Sequence, residues 1–259
     1  MSGVEFNWFP GHMNKALKDI EKRIPIVDLV IEVIDARAPF SSQNQTFTKI
    51  LKSCPVLYIL SKTDIADPKV TKQWLMYFQN QDRPVFVLDY KASKITKNLI
   101  SLIDHATQTK QTRDKQKGLV TPIINALVIG IPNVGKSTFI NRLIKDKSVK
   151  VGNKPGVTRG IQLLHLNERI NLMDTPGVLP SKMKNEIMAA NLCGIHSIKE
   201  NVFPHEQKKM VNGEKILSMS NADQQELKMK IIFMIKHMLE SRDEFNLLGM
   251  EIINIWVMK

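Results

Sequence analysis

Three short stretches of this chain bring together residue types that can hold a nucleotide. Residues 130–137, GIPNVGKS, fit Gly-x4-Gly-Lys-Ser between an apolar run and an amphipathic one. In that setting the backbone N–H groups from Asn133, Val134 and Gly135 on to Ser137 and Thr138 can wrap phosphates. The following helix N-terminus adds a favourable dipole, and Lys136 reaches the β- and γ-phosphates. Ser137 is placed to ligate Mg²⁺. Residues 174–177, DTPG, supply a second element: Asp174 would hold Mg²⁺ through a water, and the Gly177 N–H would touch the γ-phosphate and sense its loss. Alone, that tetrapeptide is also an ordinary turn. Between the two, KPGVTRG (154–160) offers Thr158 as a switch threonine completing the metal shell, or as plain loop filler.

The third stretch is SKTD (61–64), at the end of the apolar run PVLYIL. Asp64 can accept from the guanine ring N–H and exocyclic amine together, a donor pair that adenine lacks, so a carboxylate here disfavours an ATPase. The stem of Lys62 can lie along the base plane, and Thr63 completes the loop. Ser61 lacks the amide that an Asn would use to touch the base and to tie this loop to the phosphate loop. Weaker binding with guanine preference intact is the expected result. The base reader precedes the phosphate loop, the reverse of the usual order.

The elements that must position these loops follow from hydrophobic pattern. Residues 27–36, 55–60, 84–89, 124–130 and 169–174 are short, β-branched-rich apolar runs, the signature of strands buried on both faces. Helical periodicity separates them, in the stretch from Asn14 (a candidate cap) to Ile24, in 69–81, in 96–108 and after the phosphate loop to about Ile144. This alternation predicts an α/β fold, a parallel-rich sheet with helices on both faces. Residues 109–122 have the basic, Gly- and Pro-bearing composition of a connector. Beyond Leu179 helical periodicity dominates, and the stretch from 246 to 259 lacks a clean period.

The chain has 259 residues, 43% of them apolar, enough for one sizeable core and a smaller extension. A formal net charge of +12 suggests a polyanionic partner, nucleic acid ahead of a membrane surface, with a freely Lys-rich composition as the bland alternative. Lys and Arg gather at 91–117 and 142–159, stripes that can track an RNA backbone or be solvated faces. The two cysteines, Cys54 and Cys193, are far apart with no His or Cys at metal-ligand spacing, which suits a reducing compartment. Charges interrupt every hydrophobic run, so no transmembrane segment is expected, and MSGVEFNWFPG resembles neither a signal nor a transit peptide. The expected location is the cytoplasm, or an organelle if a transit peptide is missing from this chain.

WFPGHM, DARAPFSSQN, SKTD, GIPNVGKST, PGVT and DTPG, in this order, resemble the YlqF/RbgA family of circularly permuted GTPases, which act in large ribosomal subunit assembly. The resemblance runs from about Asn7 to about Gly194. It implies a P-loop GTPase domain over 1–180, with 1–23 an aromatic and His-bearing extension, 109–122 the connector, and 181–259 a mainly helical region that helps dock on the ribosome. The permutation places base-reading elements first and phosphate loop and switches last, so the last base-contacting loop falls at Asp89 and Tyr90. There the sequence departs from the family's small polar residues. The position after Gly177 is Val178, which cannot orient water as a Gln does; the family's histidine in PGHM carries over to His12. A structural histidine beside Trp8 and Phe9 fits His12 as well. Asn133 matches an asparagine of potassium-stimulated GTPases, where K⁺ sits between the phosphates, and is otherwise a loop residue. The resemblance further implies GTP and GDP as ligands, Mg²⁺, a large-subunit precursor and its rRNA as partners, a monomer off the ribosome, and slow hydrolysis stimulated there. A GTP-gated RNA-binding module with negligible hydrolysis is the alternative that Val178 raises.

Overall fold

A computed structural model of the chain describes residues 11–51, 54–89, 95–146, 161–180, 183 and 186–198. Its centre is a six-stranded sheet in the order β3-β2-β1-β4-β6-β5. The strands are β1 (Leu29–Asp35), β2 (Val56–Ser61), β3 (Val85–Val87), β4 (Ile124–Ile129), β5 (Gln162–His165) and β6 (Ile170–Asp174). All neighbours run parallel except β5, which is antiparallel to β6. β1 lies in the middle and is buried at all seven positions. This is why its sequence is a continuous apolar run broken only by Glu32 and Asp35 rather than an alternating one.

Helices cover the sheet where the sequence supplies an apolar stripe. α1 (Gly11–Glu21) buries Met13, Ala16 and Ile20, and α4 (Ile95–Ala106) buries Ile95, Leu99 and Ile103. α6 (Lys136–Asp146) adds Phe139, Ile140 and Leu143 to the same cluster. α3 (Pro68–Gln79) begins at Asp67, whose carboxylate accepts from the N–H groups of Lys69 and Val70, with Pro68 pre-set for the first turn. It seats Trp74 and Phe78, both fully buried, against Ile34 and Leu60. Truncating Phe78 to Ala would cost about 3–5 kcal/mol.

The structure departs from the sequence expectation in four places. Asn14 lies inside α1 and is exposed, so it does not cap that helix. The connector at 109–122 is in large part a helix, α5 (Gln108–Gln116), which carries no apolar stripe for periodicity to register. What holds it is polar: Lys110 Nζ pairs with Asp114 one turn on (2.6 Å), donates to the Ile123 carbonyl (2.8 Å) and lies 3.5 Å from Asp28 at the foot of β1. β5 is a short edge strand with two exposed positions, and α2 (Gln45–Ile50) is six residues long inside a polar stretch. Neither leaves a periodic signal. After β6 the chain enters α7 (Glu186–Gly194), which buries Met188 and Leu192, followed by Ile195 and Ile198, in the sheet's own cluster. Among the described residues no helix is long and apolar enough to cross a membrane.

Candidate functional site

The order in which strands are added reverses at the boundary between β1 and β4, which run parallel. From β1 the chain steps outward to β2 and β3; from β4 the later strands go the other way. In such sheets the crevice at the carboxyl ends of the two central strands is where ligands are held. Every described loop singled out by the sequence opens there, since Ser61 ends β2, Gly130 follows β4 and Asp174 ends β6.

The phosphate loop is shaped by close approach. Gly130 has φ +154°, and a Cβ on it would lie 2.6 Å from the Val33 carbonyl oxygen of the neighbouring strand. Only glycine fits. Asn133 takes a left-handed φ of +61° and Gly135 one of +99°, turning the loop so that α6 starts at Lys136. The Lys136 ammonium donates to the carbonyls of Gly130 (3.1 Å) and Ile131 (3.0 Å) and is 8% exposed. Burial pulls it down to about 8, against the opposing influence of Asp174. It is therefore a cation at neutral pH that is held in the loop at a desolvation cost, which an anionic ligand would relieve. Val134 is buried, whereas Ser137 and Thr138 are exposed on the first turn of α6.

The DTPG segment lies directly against this loop. Asp174 is buried at the end of β6, and the Thr175 hydroxyl donates to the Val128 carbonyl at 2.8 Å. A Cβ on Gly177 would come within 2.8 Å of the Pro132 backbone, so glycine is required by contact with the phosphate loop. The Val178 N–H donates to the Gly130 carbonyl at 3.2 Å, and its side chain is fully buried. Among the described residues no group of three or more His, Cys, Asp or Glu could hold a metal. The hydroxyl of Ser137 and the carboxylate of Asp174 are hard-oxygen donors of the kind that would suit Mg²⁺ if waters and substrate phosphates completed the shell. Thr158 lies outside the described residues.

The base-side loop is organised by a carboxylate that sequence reasoning left without a role. Asp35, fully buried at the end of β1, receives Arg37 through Nε (3.0 Å) and Nη2 (2.8 Å), and Lys62 Nζ at 3.0 Å. Lys62 takes a left-handed φ of +56°, and the ion pair fixes its ammonium on the buried Asp35. Thr63 Oγ1 donates to the Leu88 carbonyl (3.3 Å), fastening the loop to the end of β3, and Asp64 and Asp89 are both exposed there. Ser61 differs from expectation. It is fully buried, and its hydroxyl donates to the carbonyls of Ile34 (2.9 Å) and Val134, one proton shared between two acceptors. The tie between base loop and phosphate loop assigned to an absent Asn amide is thus made by the serine. Tyr90, Trp8 and Phe9 lie outside the described residues, and His12 is placed by its backbone in the first turn of α1.

Two further features escaped the sequence. Asn44 and Glu32 form a buried polar pair, the Asn44 N–H donating to Glu32 Oε1. The other is a strap after α7: the Asn133 amide donates to the His196 carbonyl (2.7 Å), the Ser197 hydroxyl to the Pro132 carbonyl (2.9 Å), and Arg37 Nη2 to the Ile195 carbonyl (3.4 Å). The amide nitrogen of Asn133 is thereby committed, leaving its oxygen as the atom able to ligate a monovalent cation. A charged residue inside an apolar strand run was the available signal for Glu32, and Asp-x-Arg at a strand end the one for Asp35.

A phosphate loop and a base-side loop tied together over a central strand, with the base side first in the chain, define a circularly permuted P-loop GTPase domain. Residues 125–244 match the 50S ribosome-binding GTPase family. Ribosome biogenesis GTPase A of Priestia megaterium is 40% identical over 201 residues, 77% of this chain and 70% of the relative. The protein of that name from Bacillus pumilus is 38% identical over 200 residues, 77% and 71% of the two chains. The solved structure of GNP-bound YlqF from T. maritima superposes with a TM-score of 0.58 at 23% identity, covering 94% of this chain and 91% of that one, a likeness of fold. The chain belongs to the ribosome biogenesis GTPase A family and is a GTPase.

Proposed function

We propose that this GTPase is an assembly factor for the large ribosomal subunit, bound to pre-ribosomal particles in its GTP form and released on hydrolysis. The observation that carries the nucleotide part is the Ser61 bridge to Val134, which joins a guanine-reading loop and a phosphate loop in one crevice. The names of the relatives support the ribosomal part. Asp64 reads the guanine edge, with Lys62, Thr63, Asp89 and Tyr90 around the base. The N–H groups from Asn133 to Thr138 wrap the phosphates while Lys136 neutralises charge on the β- and γ-phosphates. Ser137, Thr158 and, through a water, Asp174 would hold Mg²⁺, which would supply charge neutralisation on the transferred phosphoryl group. The Gly177 N–H contacts the γ-phosphate, and His12 is the water-orienting candidate because Val178 is apolar. K⁺ at Asn133 belongs to the same reading.

The basic stretches 91–117 and 142–159 supply phosphate contacts to rRNA. The chain works as a cytoplasmic monomer off the ribosome, with 1–180 the GTPase domain and 181–259 the docking region. The strap gives the docking region a direct line to the phosphate loop. Sedimentation with large ribosomal subunits tests the proposal. Co-sedimentation with a non-hydrolysable GTP analogue and release with GDP is the expected result; equal binding in both states would overturn the switch.

A further inference from the structure

We infer that Asn44 is a positioning residue for hydrolysis, its side-chain amide holding the Val178 carbonyl and, through it, the Gly177 backbone against the phosphate loop. Asn44 is 1% exposed and uses three polar groups in three directions. Its Oδ1 accepts from the Thr46 N–H (3.0 Å), capping α2. Its own N–H donates to Glu32 Oε1 (2.9 Å), a carboxylate buried in β1. Its Nδ2 donates to the Val178 carbonyl at 2.7 Å, across 134 residues of sequence.

A helix cap requires only the oxygen, and Ser, Thr or Asp would serve equally. The amide nitrogen is what asparagine adds, and it is spent on Val178. From the other side the Val178 N–H is held by the Gly130 carbonyl, so this one residue is pinned between the phosphate loop and the base-side half. Gly177 precedes it, packed so closely on Pro132 that a Cβ would come within 2.8 Å of the Pro132 backbone. The position of the Gly177 N–H is therefore set by two hydrogen bonds one residue downstream, and one of them comes from Asn44. Glu32 fixes the anchor itself, because a buried carboxylate accepting a backbone N–H cannot shift without losing that bond. The inference rests on the proposed contact of Gly177 with the γ-phosphate, where small misplacements are costly.

The test compares single-turnover GTP hydrolysis, GDP affinity and thermal midpoint for full-length wild type and Asn44→Ser, whose hydroxyl keeps the cap but falls short of Val178. The expected result is hydrolysis slower by on the order of tenfold with GDP affinity within about twofold, the effect of one hydrogen bond that matters in the transition state. Hydrolysis as fast as wild type, or hydrolysis and GDP affinity falling by one common factor, would overturn it. If Asn44→Ser does not fold, Asn44→Asp takes its place: it caps as well and cannot donate, so wild-type hydrolysis by that variant overturns the inference. Gly177→Ala run alongside separates the underlying reading. Normal hydrolysis by Gly177→Ala would remove the γ-phosphate assignment of Gly177 and with it the route by which Asn44 acts, whereas slow hydrolysis by Gly177→Ala beside wild-type hydrolysis by Asn44→Ser would overturn the role of Asn44 alone.

Discussion

The two halves of the sheet hold their loops by different means. On the base side, β1 to β3, side chains do the holding: Asp35 clasps Arg37 and Lys62, Glu32 accepts from Asn44, and Thr63 reaches Leu88. On the phosphate side, β4 to β6, close backbone packing sets the shape, through glycines at contact distance and a Val178 N–H on Gly130, with Lys136 and Thr175 bonding to backbone carbonyls. Charged side chains can be repaired by a conservative replacement, whereas a backbone at contact distance cannot. The phosphate side should therefore fail abruptly and the base side by degrees.

The sharpest break is on the phosphate side. Gly130→Ala places a methyl against the Val33 carbonyl on a strand that cannot recede, and is expected to cost about 3 kcal/mol or more. Denaturant unfolding should show that loss, and titration with labelled nucleotide should show binding abolished.

Glu32→Gln tests the base side through pH. Burial raises the Glu32 carboxyl to about 7, partly offset by the Asn44 N–H and Arg83. Unfolded, it ionises near the ordinary carboxylate value, so between that value and about 7 the folded state holds more protons. Stability from this group is then full at acid pH and falls as pH rises through that window, by roughly 3 kcal/mol in all. Gln is neutral throughout and still accepts from Asn44. The variant should flatten this part of the stability–pH curve and be the more stable protein at pH 8; a slope unchanged from wild type would remove Glu32 as its source.

The smallest effect tests the bridge between the halves. Ser61→Ala removes a hydroxyl proton from two buried carbonyls and should weaken GTP and GDP alike by about tenfold, roughly 1–1.5 kcal/mol. Ser61→Asn should tighten neither, because the tie it would supply is already made. Tighter binding of both nucleotides by that variant would restore the amide as the missing element.

What could be read from the sequence follows the same division. Backbone-built features announce themselves through glycine spacing and apolar runs, so five of the six strands and the phosphate loop were legible, with bounds differing by one or two residues. Side-chain networks leave no spacing rule. The pairing of Asp35 with Lys62 depends on Asp35 and Ser61 facing each other in the β1–β2 register, and that of Asn44 with Val178 on a fold that brings together residues 134 positions apart. β5 and α2 were missed because one is an edge strand with little to bury and the other is too short to show a period. α5 was missed because ion pairing, not burial, sustains it.

The pairing of β1 with β4 also sets a clock. Leu29 lies opposite Ala126, so the strand at the heart of the finished sheet is synthesised long before its second neighbour exists. At ribosomal elongation rates of about 5–20 residues per second, the intervening chain takes on the order of five to twenty seconds to appear. Throughout that interval a strand destined for burial at all seven positions is an open edge, able to pair with any other strand that arrives first. Threading the chain in this order thus carries a hazard during birth that an order beginning at β4 would distribute differently.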